Sequence, residues 1–437
     1  MTPLPLVLRT TYWINDYING SPIRKHYDDI KSMMTDPINC EERTTMYLTK
    51  LLDHVTKNCP FYTLYRNQNF QVYPVVDKSI LLRNYESIGI NIQNIPNQEG
   101  PIHIQSTSGS TGTPFAVPQD TVKKRRRIAE LKYFGELAGF KSHEKLIHLR
   151  AWNKWQSKTK MQSIRENIIP FNTERIDKNS LKELCTIIKE KKAVAIRGYA
   201  SSIDLLARYV SENNLNLPSI KIIIAGSESL NDSTRELVAK YFRCKIISQY
   251  ANEENGILAQ EELSPNQHKS FLLNHASYIF EVLRMDEDRP AAYGELGRIV
   301  ITDLFNYAFP LIRYDTGDTG IIQRRPDAPH GRAVLTQLYG RRIDLVYNTH
   351  GEIIHPTAIS RMLKHYHQIL QWQFAQESKT KYSLKLIAKE GNINTQNITE
   401  DLLNLMGNDA SIRVKFTDEL PVLASGKRKP VVNNWKP

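Results

Sequence analysis

Four short stretches carry residues whose types and spacing could do chemistry. The first, QSTSGSTGTPFAVP (105–118), sets eight consecutive Ser, Thr or Gly residues between a short apolar run and a proline. Such a run buries almost nothing, so it is either a flexible linker or a phosphate cradle. In a cradle, glycines let the backbone approach an anion and hydroxyls add donors. The Walker form, G-x-x-x-x-G-K-[ST], is excluded because no lysine follows either glycine until Lys123. The second stretch, SQYANEENG (248–256), places Glu253 and Glu254 just beyond an apolar strand-like run. A carboxylate there could hold a hard cation such as Mg2+ beside phosphates. The third, RYDTGDTG (313–320), puts Asp315 and Asp318 in a Gly-rich turn, where a carboxylate can accept from two ribose hydroxyls. The fourth, LPVLASGKRKP (420–430), presents Lys427 on a Gly-containing loop, where a mobile cation could meet developing phosphate charge. Singly, each has a plain alternative: a solvated helix start, an ordinary turn, or one surface cation among 58 Lys and Arg.

The elements that must position these stretches can be read from periodicity. ERTTMYLTKLLDHVTKN (42–58) reads as a helix that stops at Cys59-Pro60, since proline cannot continue it. From about residue 141, strand-like runs alternate with helical ones: EKLIHL (144–149), KKAVAIRGY (191–199), SIKIIIAGSESL (219–230) and CKIISQY (244–250), with SSIDLLARYVSENN and NDSTRELVAKYF between them. That alternation predicts a parallel sheet with helices on its faces, an α/β layer. In such sheets ligands collect at the carboxyl ends of the strands, which is where Glu253 and Glu254 fall. After residue 275 the pattern changes to strands separated by Gly and Pro turns, a smaller antiparallel or barrel-like lobe. The last stretch, 345–437, mixes strands and helices as a small α+β domain, with a boundary at Gly340–Asp344.

With 437 residues, 41% of them hydrophobic, the chain can bury a large core and form two or more domains. It lacks an apolar run of membrane-spanning length, and MTPLPLVLRTTYW has no basic stretch before its apolar run, which argues against a membrane span and a secretory signal. Cys40, Cys59, Cys185 and Cys244 show no C-x-x-C pairing and read as reduced core thiols. Together these features point to a cytoplasmic protein. The net charge of +12 favours anionic partners in general. Its densest run, KKRRR (123–127), precedes Ile128, Leu131, Phe134, Leu137 and Ala138 at helical spacing and so reads as the start of an amphipathic helix. A solvated helix face is the reading favoured over nucleic-acid binding, for which no zinc finger or RNA-recognition signature speaks.

Taken in order, the motifs resemble the adenylate-forming (acyl-activating) ligase superfamily, and within it the phenylacetate–coenzyme A ligase-like branch with its relatives from capsular polysaccharide biosynthesis. STSGSTGTP is similar to that family's phosphate loop, IAGSESL (224–230) to its adenine-contacting segment and YANEE (250–254) to its aromatic-Gly-x-Thr-Glu motif. YDTGD (314–318) resembles its Tyr-x-Thr-Gly-Asp motif, GRRIDLV (340–346) its hinge and SGKRK (425–429) the loop of its catalytic lysine. NCPFYTLYRNQNFQVYPVVDKSILLRN is similar to the branch's N-terminal region, so the likeness spans nearly the whole chain. It implies an α/β fold: a large ATP- and acyl-binding domain over 1–340, a hinge at 341–344 and a small mobile domain over 345–437. Ser108, Gly109, Ser110, Thr111, Gly112 and Thr113 would wrap the β- and γ-phosphates of ATP, and Glu254 would coordinate Mg2+. Gly226, Ser227 and Glu228 would border the adenine with Tyr250 stacking nearby. Asp318, assisted by Arg341, would grip the ribose, and Lys427 would reach the α-phosphate and carboxylate oxygens. The sequence departs from the pattern in Ala251 for the usual Gly and Glu253 for the usual Thr or Ser, which leaves the metal ligand open between Glu253 and Glu254. Pro430 stands near the place where the family often carries an Arg. Without a cysteine in ILAQEELSPNQH, no zinc is expected.

The resemblance implies that a carboxylic acid attacks the α-phosphorus of ATP and that pyrophosphate leaves, with no protein nucleophile. The acyl group then passes to coenzyme A, a carrier-protein thiol, or an amine or hydroxyl of a sugar. A catalytically silent nucleotide-binding protein is the competing reading. The acyl pocket is expected between the RGYASS turn (197–202), the Tyr133–Phe134 helix and Tyr250, with Tyr133, Trp152, Tyr199 and Ala200 as its wall, and an aryl or small hydrophobic acid as its occupant. The oligomeric state is open, a homodimer included.

Overall fold

The computed structural model describes residues 3–106, 115–152, 158–173, 176–217, 219–263, 269–325, 332–341, 345–354, 356–363, 365–366, 368–388, 393–421 and 429–435. The Ser108–Thr113 loop, the 342–344 part of the hinge and Lys427 lie outside the described residues.

Five apolar runs form the parallel half of an eleven-stranded sheet. Their order is Ile168–Asn172, Leu146–Arg150, Ala195–Tyr199, Ile222–Gly226 and Lys245–Asn252. Four of the five fall where the alternating pattern puts strands. The edge strand Ile168–Asn172 carries Pro170, which an edge position tolerates. On one face, Ile147, Leu149, Ile196, Ile223 and Ala225 pack under the helices Lys178–Lys191 and Ala200–Glu212. On the other, Leu146, Ala195, Ile222, Ile224 and Ile247 pack against Ala138 and Phe140.

A tight hairpin turns Lys245–Asn252 back into Gly256–Glu261, and from there the ladder is antiparallel. Phe271–Leu273, Ala333–Arg341, Tyr314–Arg324, Leu296–Asp303 and Tyr278–Leu283 follow in that order. The smaller lobe expected after residue 275 is built from these strands, and it is continuous with the parallel half. A second core, including Tyr62, Tyr73, Phe115, Tyr250, Phe309 and Tyr314, lies against it. The small C-terminal unit has its own four-stranded mixed sheet, helices Pro356–Leu363 and Thr395–Met406, and its own core around Phe374, Leu384 and Leu402.

The helix expected over 42–58 runs Pro37–Asn58. The Asp36 side chain accepts from the amides of Ile38 and Asn39 at its start, and Cys59-Pro60 stops it. The basic run departs from the solvated helix face expected of it. Helix Thr121–Leu137 does not present KKRRR to solvent: Lys123 and Arg126 are fully buried, while Leu131 and Leu137 are exposed. Lys123 Nζ pairs with Asp303 at 2.5 Å and donates to the Tyr278 hydroxyl at 3.0 Å. Arg126 pairs with Asp29 at 2.5 Å, donates to Ser277 Oγ at 2.9 Å and lies 4.0 Å over the Phe305 ring. Arg125 pairs with Glu99, and only Lys124 of the five is exposed. The helix is therefore a charged spine clamped between distant acids, because an unpaired charge cannot stay buried.

All four cysteines are free thiols, three of them buried. Among the described residues no helix is long and apolar enough to cross a membrane.

Candidate functional site

The carboxyl ends of the parallel strands gather most of the described motif residues at one edge of the sheet. The two strands that flank the Ser/Thr/Gly stretch, its stem, reach this edge. His103–Ser106 pairs antiparallel with Ala116–Gln119, Ser106 opposite Ala116, and fully buried Phe115 anchors the return strand. Gln105, two residues before the loop, donates its side-chain amide to Oε2 of Glu253. Gln119, at the far end of the stem, donates to the carbonyl of Glu254 at 2.9 Å. The stem and the Glu253–Glu254 turn are thus one hydrogen-bonded unit.

That turn depends on Gly256. Its φ of +132° favours glycine, and a Cβ would meet Glu130 Oε2 at 2.8 Å. The two glutamates face different partners. Glu253 Oε1 takes an ion pair from Arg150 at 2.8 Å, with Arg127 at 4.0 Å from its other oxygen. Glu254 is buried, and its Oε1 accepts from the Tyr314 hydroxyl at 3.5 Å. The first carboxylate braces the loop stem against the sheet. The second sits beside the Tyr-Asp-Thr-Gly-Asp strand.

The two aspartates of that strand also divide their work. Asp315 is locked in a buried pair with Arg298 at 2.9 Å and caps the amide of Gly317. Asp318 is half-buried and accepts from the Tyr250 hydroxyl at 2.7 Å. Arg341 stands directly opposite Asp318 in the antiparallel register. Ser227 adopts a left-handed conformation (φ 66°) just past the strand Ile222–Gly226. Oε2 of Glu228 accepts from the amide of Ser201 at 2.8 Å. That carboxylate supplies the cap that helix Ala200–Glu212 lacks from Tyr199, and it suits the positive end of the helix. The segment expected at the adenine is in this way tied to the RGYASS turn.

The four residues expected to wall an acyl pocket do not all meet. Tyr199 ends one parallel strand and Trp152 lies two residues beyond the end of another. The Trp152 ring stands edge-on to His148 at 5.2 Å, and its indole N–H donates to the His148 carbonyl at 3.3 Å. Ala200 points into the core under the helices. Tyr133 lies in another cluster, with its ring 6.2 Å from Tyr27 of helix Pro22–Thr35.

This arrangement is similar as a whole to known proteins. Over 92% of this chain and 91% of the other, the structure superposes on 2-hydroxyisobutyryl-CoA ligase in its postadenylation state in complex with R3-HIB-AMP, with a TM-score of 0.71 and 18% identity. The same ligase in its thioesterification state, in complex with 2-HIB-AMP and CoA, gives a TM-score of 0.55 at 18% identity over 93% of this chain and 92% of that one. The chain has the adenylate-forming ligase fold. In sequence, Protein CapK of Staphylococcus aureus is 22% identical over 436 residues, which is 94% of this chain and 93% of CapK. Residues 346–434 match the CapK C-terminal domain family.

Within the adenylate-forming fold, several residues at the same edge escaped the reading of the motifs. Arg150 is the final residue of its strand, one beyond the apolar run that signals the strand. Gln105 lies before the loop and Arg127 after it, and only the stem hairpin and the helix Thr121–Leu137 that follows it bring them to Glu253. His148 and Arg197 are hidden inside apolar runs. Alternation with Ile147, Leu149 and Ile196 was the available signal, since it turns both to the face opposite the helices.

Proposed function

We propose that this chain is an ATP-dependent acid ligase. A carboxylate oxygen attacks the α-phosphorus of ATP, pyrophosphate leaves, and the acyl-adenylate passes its acyl group to coenzyme A or another thiol. The observation that carries the reading is the hydrogen-bonded unit of loop stem, Glu253–Glu254 turn and Tyr250–Asp318 pair at the carboxyl ends of the parallel strands. The likeness to 2-hydroxyisobutyryl-CoA ligase in complex with R3-HIB-AMP, and with 2-HIB-AMP and CoA, supports it.

In this reading Ser108–Thr113 supply amide and hydroxyl donors to the β- and γ-phosphates, from a stem already fixed in place. Gly226, Ser227 and Glu228 border the adenine. Asp318, opposite Arg341, takes the ribose hydroxyls, and its bond from Tyr250 orients the carboxylate. Lys427 arrives from the small domain, 345–437, which turns about residues 341–344. The side chains fit a Mg2+ ion at Glu254: Glu253 is committed to Arg150 and Gln105, whereas Glu254 lies between the stem and Tyr314. When bound, the ion neutralises phosphate charge. The protein's own contribution is positioning and charge stabilisation, with each well-placed contact worth about 3 kcal/mol in rate.

The test is exchange of labelled pyrophosphate into ATP across a panel of carboxylic acids. Acid-dependent exchange, followed by coenzyme A-dependent loss of the adenylate, is expected. Exchange with no acid, or none with any acid, would remove the ligase assignment. An adenylate discharged only by amines or sugars would move the acceptor from thiol to amide or ester formation.

A further inference from the structure

The sheet face that carries the site changes character along the strands. Near their amino ends it is apolar, with Leu146, Ala195, Ile222 and Ile224 covered by Ala138 and Phe140. Toward the carboxyl ends it becomes basic. His148 and Arg197 are register partners on adjacent strands, and two residues further on the same face stand Arg150 and Tyr199. Two residues of strand span roughly 7 Å. His148 and Arg197 therefore form a floor one step below the rim where Arg150 meets Glu253, with Trp152 standing edge-on to His148.

The cations at this floor are not equally occupied. Arg150 pairs with Glu253 at 2.8 Å and Lys158 with Glu166 at 2.6 Å. Glu228, which acts on Tyr199, caps the helix at Ser201. Among the described residues Arg197 has no ion pair, and its buried Nε has no hydrogen-bond partner. Burial shifts its guanidinium down, to about 10, with no carboxylate among the described residues acting against the shift. His148 is pushed down to about 3 by burial and then by Arg197, Arg150 and Lys158, so its neighbours are cations and it stays neutral. A buried donor left unpaired is costly and calls for a partner.

We infer that the acid activated by this enzyme carries a second anionic group, received by Arg197 and His148 at the floor of the acyl pocket. This rests on the ligase reading and refines it, replacing a purely hydrophobic acid with a short diacid or an acid bearing another anionic substituent. The spacer is limited to a few bonds or a single ring by the depth of one strand repeat, and the Trp152 edge suits a planar one. The reacting carboxylate remains at the rim, beside the loop stem and Glu254.

The experiment compares isosteric pairs in pyrophosphate exchange: succinate with succinamate, and terephthalate with 4-carbamoylbenzoate, within a broad panel that includes monocarboxylic acids. Wild-type enzyme should favour the doubly charged acids, by about 10- to 100-fold in kcat/KM, as expected for a charge-assisted contact. Arg197→Met should erase that preference by losing the diacid activity, while the KM for ATP stays unchanged. Exchange best supported by monoanionic acids, or a preference that survives Arg197→Met, would overturn the inference and leave the ligase reading intact. An equal rise in the KM for ATP with every acid would assign Arg197 to the nucleotide and also overturn it. Exchange with no acid at all would instead sink the ligase reading. If Arg197→Met does not fold, the wild-type ratio within each pair decides alone.

Discussion

The hydroxyl of Tyr250 donates to Oδ2 of Asp318 at 2.7 Å, joining the last parallel strand to the antiparallel half of the sheet. The same hydroxyl lies 3.3 Å from Thr316 Oγ1. Tyr250→Phe removes both bonds while keeping the ring. It should lower stability by about 1 kcal/mol and raise the KM for ATP more than it lowers kcat, because the Asp318 carboxylate loses its orienting partner. Urea denaturation and steady-state kinetics with ATP as the varied substrate check the two effects.

The two adjacent glutamates should separate cleanly. Glu254→Gln should lower pyrophosphate exchange roughly 100-fold and move the midpoint of a Mg2+ titration upward. Glu253→Gln should leave that midpoint in place and instead weaken ATP binding, by loosening the stem that Arg150 and Gln105 hold. The reverse pattern in the metal titration would make Glu253 the ligand.

Lys123 and Asp303 form a pair with both side chains fully buried. Lys123→Met should destabilise the protein by about 3–5 kcal/mol, since it leaves an uncompensated charge, and adding Asp303→Asn should restore much of the loss. Chemical denaturation of the single and double variants measures this. A surface cation would show almost no change.

Acid sensitivity follows from buried histidines. Burial pushes His26, His143 and His275 each down to about 4 from an ordinary 6.5. The folded state then binds fewer protons than the unfolded chain between these values, so stability is present above about pH 6.5 and is lost as pH falls toward 4. Burial raises the carboxyls of Asp120 and Glu130, which works in the opposite direction. Comparison with a variant isolates one histidine: His275→Leu should lose less stability than wild type between about pH 7 and pH 5, by an amount of order 1 kcal/mol. Parallel curves for the two proteins would remove His275 from the acid response.

Much of the scaffold was legible because its signals are local. The runs KLIHL, VAIRGY, IKIIIAG and KIISQY announce buried parallel strands by composition, and Cys59-Pro60 marks a helix end through backbone sterics alone. The motif order likewise points to the fold. The site's electrostatics were far less legible. The burial of Lys123 and Arg126 depends on Asp303 and Asp29, which come from other elements, and a helix that hides charge looks locally like one that displays it. Arg197 and His148 read as interruptions of apolar runs until register places them side by side. The segregation of Tyr133 toward the N-terminal helices was equally invisible, because Tyr133 and its partner Tyr27 are linked only by tertiary packing.

In the proposed reaction a carboxylic acid is joined to AMP at the edge where the loop stem meets Glu253 and Glu254. A single-turnover reaction with enzyme in excess, one active acid, ATP and no acceptor tests it most directly, with products read by mass spectrometry. Acyl-AMP and pyrophosphate should appear in equal amounts, and Lys427→Ala should abolish both while ATP still binds. ADP with inorganic phosphate as the products, or AMP formed without any acid, would exclude acyl-adenylate formation.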